Sequence, residues 1–214
     1  MTLLDLTPDE LLTTTRSVRK RLDLTRPVPL ELVKECIGIA LQAPSGSNRQ
    51  TWHWIVVTDP EQRAAIGAFY RRAVGTYLSS EGSCGSLFLE DPARHAVQRR
   101  VGDSVAHLGD RLGDVPVLVI PCLDASAAPE YNEAGMWGSI IQAGWSYMLA
   151  ARARRLGTAW TTLHLMYEKE IAALLGLPDG IVQAALIPTA YSIGTDFKPA
   201  PRQPLDEVLH VDSW

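Results

Sequence analysis

The chain has 214 residues, with 20 lysines and arginines against 24 aspartates and glutamates, giving a formal net charge of −4. That length suits one large domain, which buries roughly 70% of its unfolded surface and needs no disulfide staples. At 46% hydrophobic and 21% charged residues the composition is ordinary for a globular protein, which excludes a disordered, collagenous or disulfide-scaffold chain.

The mild acidity argues against a surface devoted to nucleic acid or anionic lipid. Cys36, Cys84 and Cys122 cannot all pair, and neither they nor the histidines show the spacing of a metal site. The N-terminus carries no charged-then-apolar leader, which points to the cytoplasm.

Thr7-Pro8-Asp9-Glu10 reads as a capping box that opens a helix ending near Thr15, just before the basic run Arg16-Ser17-Val18-Arg19-Lys20-Arg21. Pro29 starts a second helix, with Val33, Cys36, Ile37, Ala40 and Leu41 on one face. Ala43-Pro44-Ser45-Gly46-Ser47-Asn48 stops that helix in a loop. Trp52 to Thr58 is β-branched and aromatic, and predicts a strand. Asp59-Pro60 caps a third helix reaching about Arg72, and residues 75–91, rich in glycine and serine, read as a loop or lid. Asp91-Pro92 opens another helix ending near Leu112, and Val115 to Pro121 is an apolar strand with proline at both ends.

A loop at 124–132 leads to Ala134–Ala151, which holds no charged residue. This stretch reads either as a buried helix or, from its length alone, as a membrane span. Arg152, Arg154 and Arg155 suit the C-terminus of that helix, with Gly157 as its stop. Ala159 to Leu163 predicts a strand, Tyr167 to Leu175 a helix closed by Gly176, and Val182 to Ile193 one long last strand. The proline-bearing tail, Gly194 to Trp214, is no regular core element. The chain is therefore mixed α and β, one domain over 1–214.

No glycine-rich dinucleotide fingerprint, phosphate loop or nucleophile elbow occurs. If phosphate binds, side-chain cations must hold it. Arg16 and Arg19 can converge on one anion if the chain bends, and the planar guanidinium fork suits phosphate; the same run also reads as a solvated charge cluster. Asn48 and Gln50 carry both donors and acceptors, as the edge of a heterocyclic ring requires, although their segment also reads as a polar turn. Trp160, Thr161, Thr162 and Leu163 leave a strand with hydroxyls and backbone amides free, while His164 is read as a structural histidine. Lys198 and Arg202 join this set only if the tail folds back.

Taken together, Arg-Ser-Val-Arg at 16–19, Ala-Pro-Ser-Gly-Ser-Asn-x-Gln-x-Trp at 43–52, Leu-Gly-Thr-Ala-Trp-Thr-Thr at 156–162, Leu-Leu-Gly-Leu-Pro at 174–178 and the basic tail through Arg202 resemble the nitroreductase-like flavoprotein family. The resemblance implies an α+β, three-layer fold with a mixed or antiparallel central sheet between helices. It also implies a lid or insert at about 70–92, and a tail at about 195–214 reaching onto a partner subunit. It implies an FMN-binding homodimer that takes hydride from NADH or NADPH and passes it, in ping-pong fashion through flavin N5, to a nitroaromatic, quinone or similar small electron acceptor.

By the same resemblance, Arg16, Ser17, Val18 and Arg19 bind flavin, with Arg19 facing N1 and the C2 carbonyl and Arg202 at the phosphate. Pro44, Ser45, Gly46, Ser47, Asn48 and Gln50 form a second flavin segment, often given across the dimer, and Trp160, Thr161, Thr162 and Leu163 approach N5. The flavin carries the chemistry, and no acid, base or nucleophilic side chain is needed. The alternatives are a reductive dehalogenase, a flavin-degrading enzyme or a non-catalytic FMN-binding protein of the same fold. The uncharged stretch becomes the central helix of the dimer, which sets the membrane reading aside. The chain departs from the family at Thr15, where many members have arginine, at Thr51, where proline is common, and at His164-Leu165, where some have Glu-Gly.

Overall fold

A computed structural model describes residues 3–127 and 133–214. The elements are α1 (Pro8–Thr14), β1 (Leu22–Asp23), α2 (Leu30–Ala40), β2 (Trp52–Val57), α3 (Pro60–Leu78), α4 (Pro92–Arg111), β3 (Val117–Asp124), α5 (Glu133–Ala153), β4 (Leu156–Thr158), α6 (Glu168–Leu175), β5 (Ile181–Gln183) and β6 (Ile187–Ser192). The helix starts follow their caps. Glu10 N–H donates to Thr7 Oγ1 at 3.2 Å while Thr7 N–H donates to Glu10 Oε2 at 2.8 Å, and Asp59 accepts from Gln62 N–H.

The strand pairings are antiparallel. β2 lies along one edge of β3, β5 and β6 share its other edge, and β6 also pairs with β4 and β1. Side chains of β3 alternate between two cores. Val117 and Val119 pack with Val33, Cys36, Tyr147 and Ala151 of α2 and α5. Leu118, Ile120 and Cys122 pack with Ile66, Tyr70, Val105 and Leu108 of α3 and α4. A strand covered on both faces reads as one apolar run, and two helix layers enclose the sheet. The fold is thus three-layer α+β, with an antiparallel sheet.

Several boundaries differ from the sequence expectations, each for a local reason. α3 runs to Leu78, not Arg72. An isolated glycine costs a helix only about 1 kcal/mol, and burial of Ala73 and Val74 offsets it at Gly75. Only 79–91 of the supposed loop is irregular, and within it Ser83 and Cys84 are buried, with Cys84 N–H donating to Tyr77 Oη at 2.8 Å.

Pro121 lies inside β3, opposite Trp54, and does not end it. It also sits where β3 changes partner. Having no N–H of its own, it accepts from Ala184 N–H at 2.9 Å, while Leu186 turns away to exchange both backbone hydrogen bonds with Thr161. The expected strand 182–193 is therefore two, β5 and β6, and the expected strand 159–163 reduces to that bridge followed by a 3-10 turn at Leu163–Tyr167. α5 stops at Ala153, the chain reverses with Arg155 at a φ of 66°, and Gly157 falls inside β4. Gly157 serves close approach: a Cβ there would lie 3.0 Å from side-chain carbons of both Val18 and Leu22. Part of the expected loop at 124–132 lies outside the described residues.

The uncharged stretch lies within α5 and is buried on one side only. Ile140, Ala143, Tyr147 and Met148 face the core, whereas Ile141 and Trp145 are 49% and 38% exposed. No helix among the described residues is long and apolar enough to cross a membrane. Arg152 and Arg154, which suit the C-terminus of this helix, are buried. Arg154 pairs with Glu35, and Arg152 donates to Thr195 O at 2.8 Å.

α3 meets the turn at Leu112–Asp114 backbone to backbone. A Cβ on Gly67 would fall 2.7 Å from Gly113 N and 2.9 Å from Gly113 Cα, and no flexible side chain is there to yield. Gly67→Ala is expected to destabilise the fold by about 1–3 kcal/mol, which lowers Tm by roughly 2–4 °C per kcal/mol in a chain of this size. A thermal melt with an unchanged midpoint would contradict this packing.

Candidate functional site

The basic run leaves α1 as extended chain and is held against β4. Val18 N–H donates to Thr158 O at 2.7 Å, and Ser17 forms a parallel bridge with the same residue. Anchoring Val18 inward turns its neighbours outward by strand alternation. A cavity of about 280 Å³ opens there, lined by Arg16, Arg19, Lys20 and Arg21 with Ser104 and Phe197, and no carboxylate lines it.

The cations differ in how far they are engaged. Arg21 pairs with Asp196 at 2.8 Å and donates to Ile193 O. Arg16 donates to Lys198 O at 3.1 Å, which ties the start of the tail to the cavity. Arg19 reaches only Ser104 Oγ at 3.4 Å, and its buried Nε has no hydrogen-bond partner. Among the described residues neither Arg16 nor Arg19 forms an ion pair. A buried guanidinium N–H without a partner is costly, and an incoming acceptor would satisfy it.

Beyond Thr158 the chain continues to Thr161, whose partner Tyr70 lies within reach of the Arg19 charge. Thr161 is fixed by its two backbone hydrogen bonds to Leu186 and by Tyr70 Oη at 2.8 Å from its hydroxyl. Burial pushes the Tyr70 hydroxyl above its usual pKa, with the Thr161 hydrogen bond and the Arg19 charge opposing that shift. Trp160 lies over α5, where a Cβ on Gly144 would come 2.5 Å from its ring. Thr162 is exposed and Leu163 half-buried.

The second segment is separate. Gly46 N–H donates to Ser139 Oγ of α5 at 3.0 Å, Gln50 N–H to Ser45 Oγ at 3.2 Å, and Gln50 Nε2 to Asn48 Oδ1 at 2.9 Å. Ser47, Asn48 and Gln50 all have left-handed backbone, with φ of 53°, 52° and 53°. Such positions cost on the order of 1–3 kcal/mol each and cluster at ligand-binding sites. Pro44, Gly46, Ser47, Asn48 and Gln50 are solvent-exposed, so a shaped polar loop faces outward.

One chain therefore brings Arg16, Ser17, Val18 and Arg19 together with the segment from Thr158 to Thr161. It does not bring Pro44–Gln50 to that cavity. Arg202 is not there either. It lines a different cavity, beside α4, and donates to its neighbour Pro201 O at 3.0 Å. Sequence reading missed Ser104 and Phe197, which lie far along the chain from the motifs and carry no local signature.

His164 is fully buried, and neither ring nitrogen has a hydrogen-bond partner. Burial lowers its pKa to about 3, so the ring is neutral. No cluster among the described residues could hold a metal ion.

Comparison with known proteins identifies the family of the chain. The family described as Nitroreductase family matches residues 12–191. A nitrobenzene nitroreductase of Ectopseudomonas oleovorans is 29% identical over 195 residues, covering 80% of each chain. The crystal structure of the FMN and NADPH-dependent nitroreductase NfnB from Sphigopyxis sp. strain HMH superposes with a TM-score of 0.70 at 24% identity, covering 98% of this chain and 100% of that one. Oxidised iodotyrosine deiodinase, bound to FMN and 3-iodo-L-tyrosine, superposes at 0.69 with 20% identity, covering 95% and 97%.

Proposed function

Because the chain belongs to the nitroreductase family, we propose that it is an FMN-dependent NAD(P)H oxidoreductase acting on a nitroaromatic, quinone or similar small acceptor. The observation that carries this reading is the basic cavity without a carboxylate, into which Arg19 brings a buried, unpartnered N–H. FMN held by these residues would supply the redox chemistry, hydride exchange between NAD(P)H and the acceptor.

The protein's own part is binding, orientation and charge. Arg16 and Arg19 supply fixed donors for the anionic and carbonyl groups of the flavin, and Arg19 is the cation suited to negative charge on the ring around N1 and the C2 carbonyl. The segment from Trp160 to Leu163 would approach N5, with Thr161 held in place by the Tyr70 hydrogen bond and by its backbone pair with Leu186, which takes up the Thr161 N–H.

The site is completed by a second copy of the chain. A cavity of about 280 Å³ is small beside the roughly 300–1,000 Å³ of ligand sites, so further walls must come from outside. The outward loop Pro44–Gln50 is already shaped, and the apolar faces carrying Ile141 and Trp145 on α5 and Ile39 on α2 are exposed next to it. A homodimer with these faces buried would set the loop of one subunit against the cavity of its partner. The three buried, unpaired cysteines fit a reducing compartment such as the cytoplasm.

Purification tests the reading. The protein is expected to carry, or to take up, FMN identifiable after heat release. A colourless protein that FMN cannot reconstitute would overturn it.

A further inference from the structure

Arg152, at the C-terminal end of α5, is only 4% exposed, and among the described residues no carboxylate pairs with it. Its Nη2 donates to Thr195 O at 2.8 Å and reaches Thr14 Oγ1 at 3.5 Å, while Nε and Nη1 have no hydrogen-bond partner. Burial and the neighbouring Arg21 charge both work against its charged form. A buried cation without a counter-ion destabilises a fold, and an apolar side chain of similar volume is often at least as stable in its place. Stability therefore does not account for Arg152. What it touches is the start of the tail.

Cations hold residues 193–198 down along their length. Arg21 donates to Ile193 O at 2.7 Å and pairs with Asp196 at 2.8 Å, and Arg16 donates to Lys198 O at 3.1 Å. The Phe197 ring has two guanidiniums over it, Arg21 at 4.3 Å and Arg152 at 4.8 Å from its centre. The turn into this strap requires glycine: Gly194 has a φ of 73°, and a Cβ there would collide with Arg21 Nη2, an atom already held by Asp196. Arg21 and Phe197 line the basic cavity, whereas Arg152 does not. The buried cation thus stands one aromatic ring behind the wall of that cavity.

We propose that Arg152 is a positioning residue for the flavin site: through Thr195 O and the Phe197 ring it clamps the 193–198 strap that walls the basic cavity. The proposal rests on the FMN reading above. Arg152 touches no ligand itself. An occupant packed against Phe197 holds the strap in turn, because coupling between two sites is reciprocal.

Chymotrypsin, which cuts after Phe197, and fluorescence titration with FMN test it together, with the released tail identified by mass. In the unmodified protein FMN is expected to slow cleavage at this bond, since a ligand stabilises the state that binds it. Arg152→Met should quicken the cleavage and weaken FMN binding about fivefold or more, while Tm stays equal or rises. Gly194→Ala, which changes neither Arg152 nor a residue of the cavity, should bring the same two changes, and it decides the matter if the Arg152 variant does not fold. A merely structural arginine would instead lower Tm and leave the FMN affinity of the folded variant intact, a result that would overturn the proposal. So would a Phe197 bond that FMN does not protect. A chain that takes up no FMN fails the earlier reading instead; cleavage of the unliganded proteins then decides this one, and equal rates with and without Arg152 would overturn it.

Discussion

Arg19→Ala is expected to weaken FMN binding by about 10- to 150-fold, the equivalent of one charge-assisted hydrogen bond of roughly 1.5–3 kcal/mol. Arg19 is half-buried, its Nη1 makes only a long contact to Ser104, and its Nε has no partner. Its donors are therefore already oriented and desolvated, and little of the binding energy is lost in arranging them. The variant should also take up hydride more slowly, because the reduced ring loses the cation facing its developing charge. Arg19→Lys should recover only part of both effects, since an ammonium keeps the charge but not the planar fork. Tm should hardly fall, because no ion pair is broken. Fluorescence titration with FMN and anaerobic stopped-flow reduction measure the two quantities, and an unchanged Kd and rate would remove Arg19 from the site.

His164 carries the second large effect, on stability and not on chemistry. Its ring is fully buried without partners, and burial lowers its pKa from 6.5 to about 3. In the unfolded chain the ring titrates normally, so between those two values the unfolded state binds the extra proton. Stability is then complete above pH 6.5 and falls as the pH drops toward 3, at a slope approaching 1.4 kcal/mol per pH unit. By pH 5 about 2 kcal/mol should be gone. His164→Leu removes the titrating group and its two unsatisfied nitrogens, so it should flatten this limb and leave stability at neutral pH equal or higher. Urea denaturation at pH 7, 6 and 5 separates the outcomes; a parallel loss in both proteins would contradict the assignment. Hydrogen bonds and charge from Arg154 and Arg21 hold the Glu35 and Asp196 carboxyls below the usual carboxylate range.

Local signals carried much of the fold. The capping box at Thr7–Glu10 and the Asp-Pro starts of α3 and α4 act within a few residues, so their sequence is their structure. What was not legible depends on distant partners. Pro121 reads as a strand end because nothing nearby reveals that β3 changes partner there and needs no N–H. Gly157 reads as a helix stop because its need for space comes from Val18 and Leu22, more than a hundred positions earlier.

The site divides the same way. Arg16 to Arg19 and Trp160 to Leu163 were visible as motifs, and the Ser17–Thr158 bridge joins them in one chain. Ser104 and Phe197 were not visible, since a serine in a helix and a phenylalanine in a tail say nothing of a cavity they reach only on folding. The left-handed backbone at Ser47, Asn48 and Gln50 was equally hidden, because only Asn among them favours it.

On the proposed reading this cavity, completed by a second subunit, holds a flavin that exchanges hydride. Anaerobic titration of the FMN-loaded protein with NADPH, followed in the visible absorbance of the flavin, tests it most directly. Stoichiometric bleaching is expected, with colour returning when a nitroaromatic or quinone is added. A protein that binds FMN yet stays yellow with both NADPH and NADH would contradict it, and would make the chain a flavin binder without turnover.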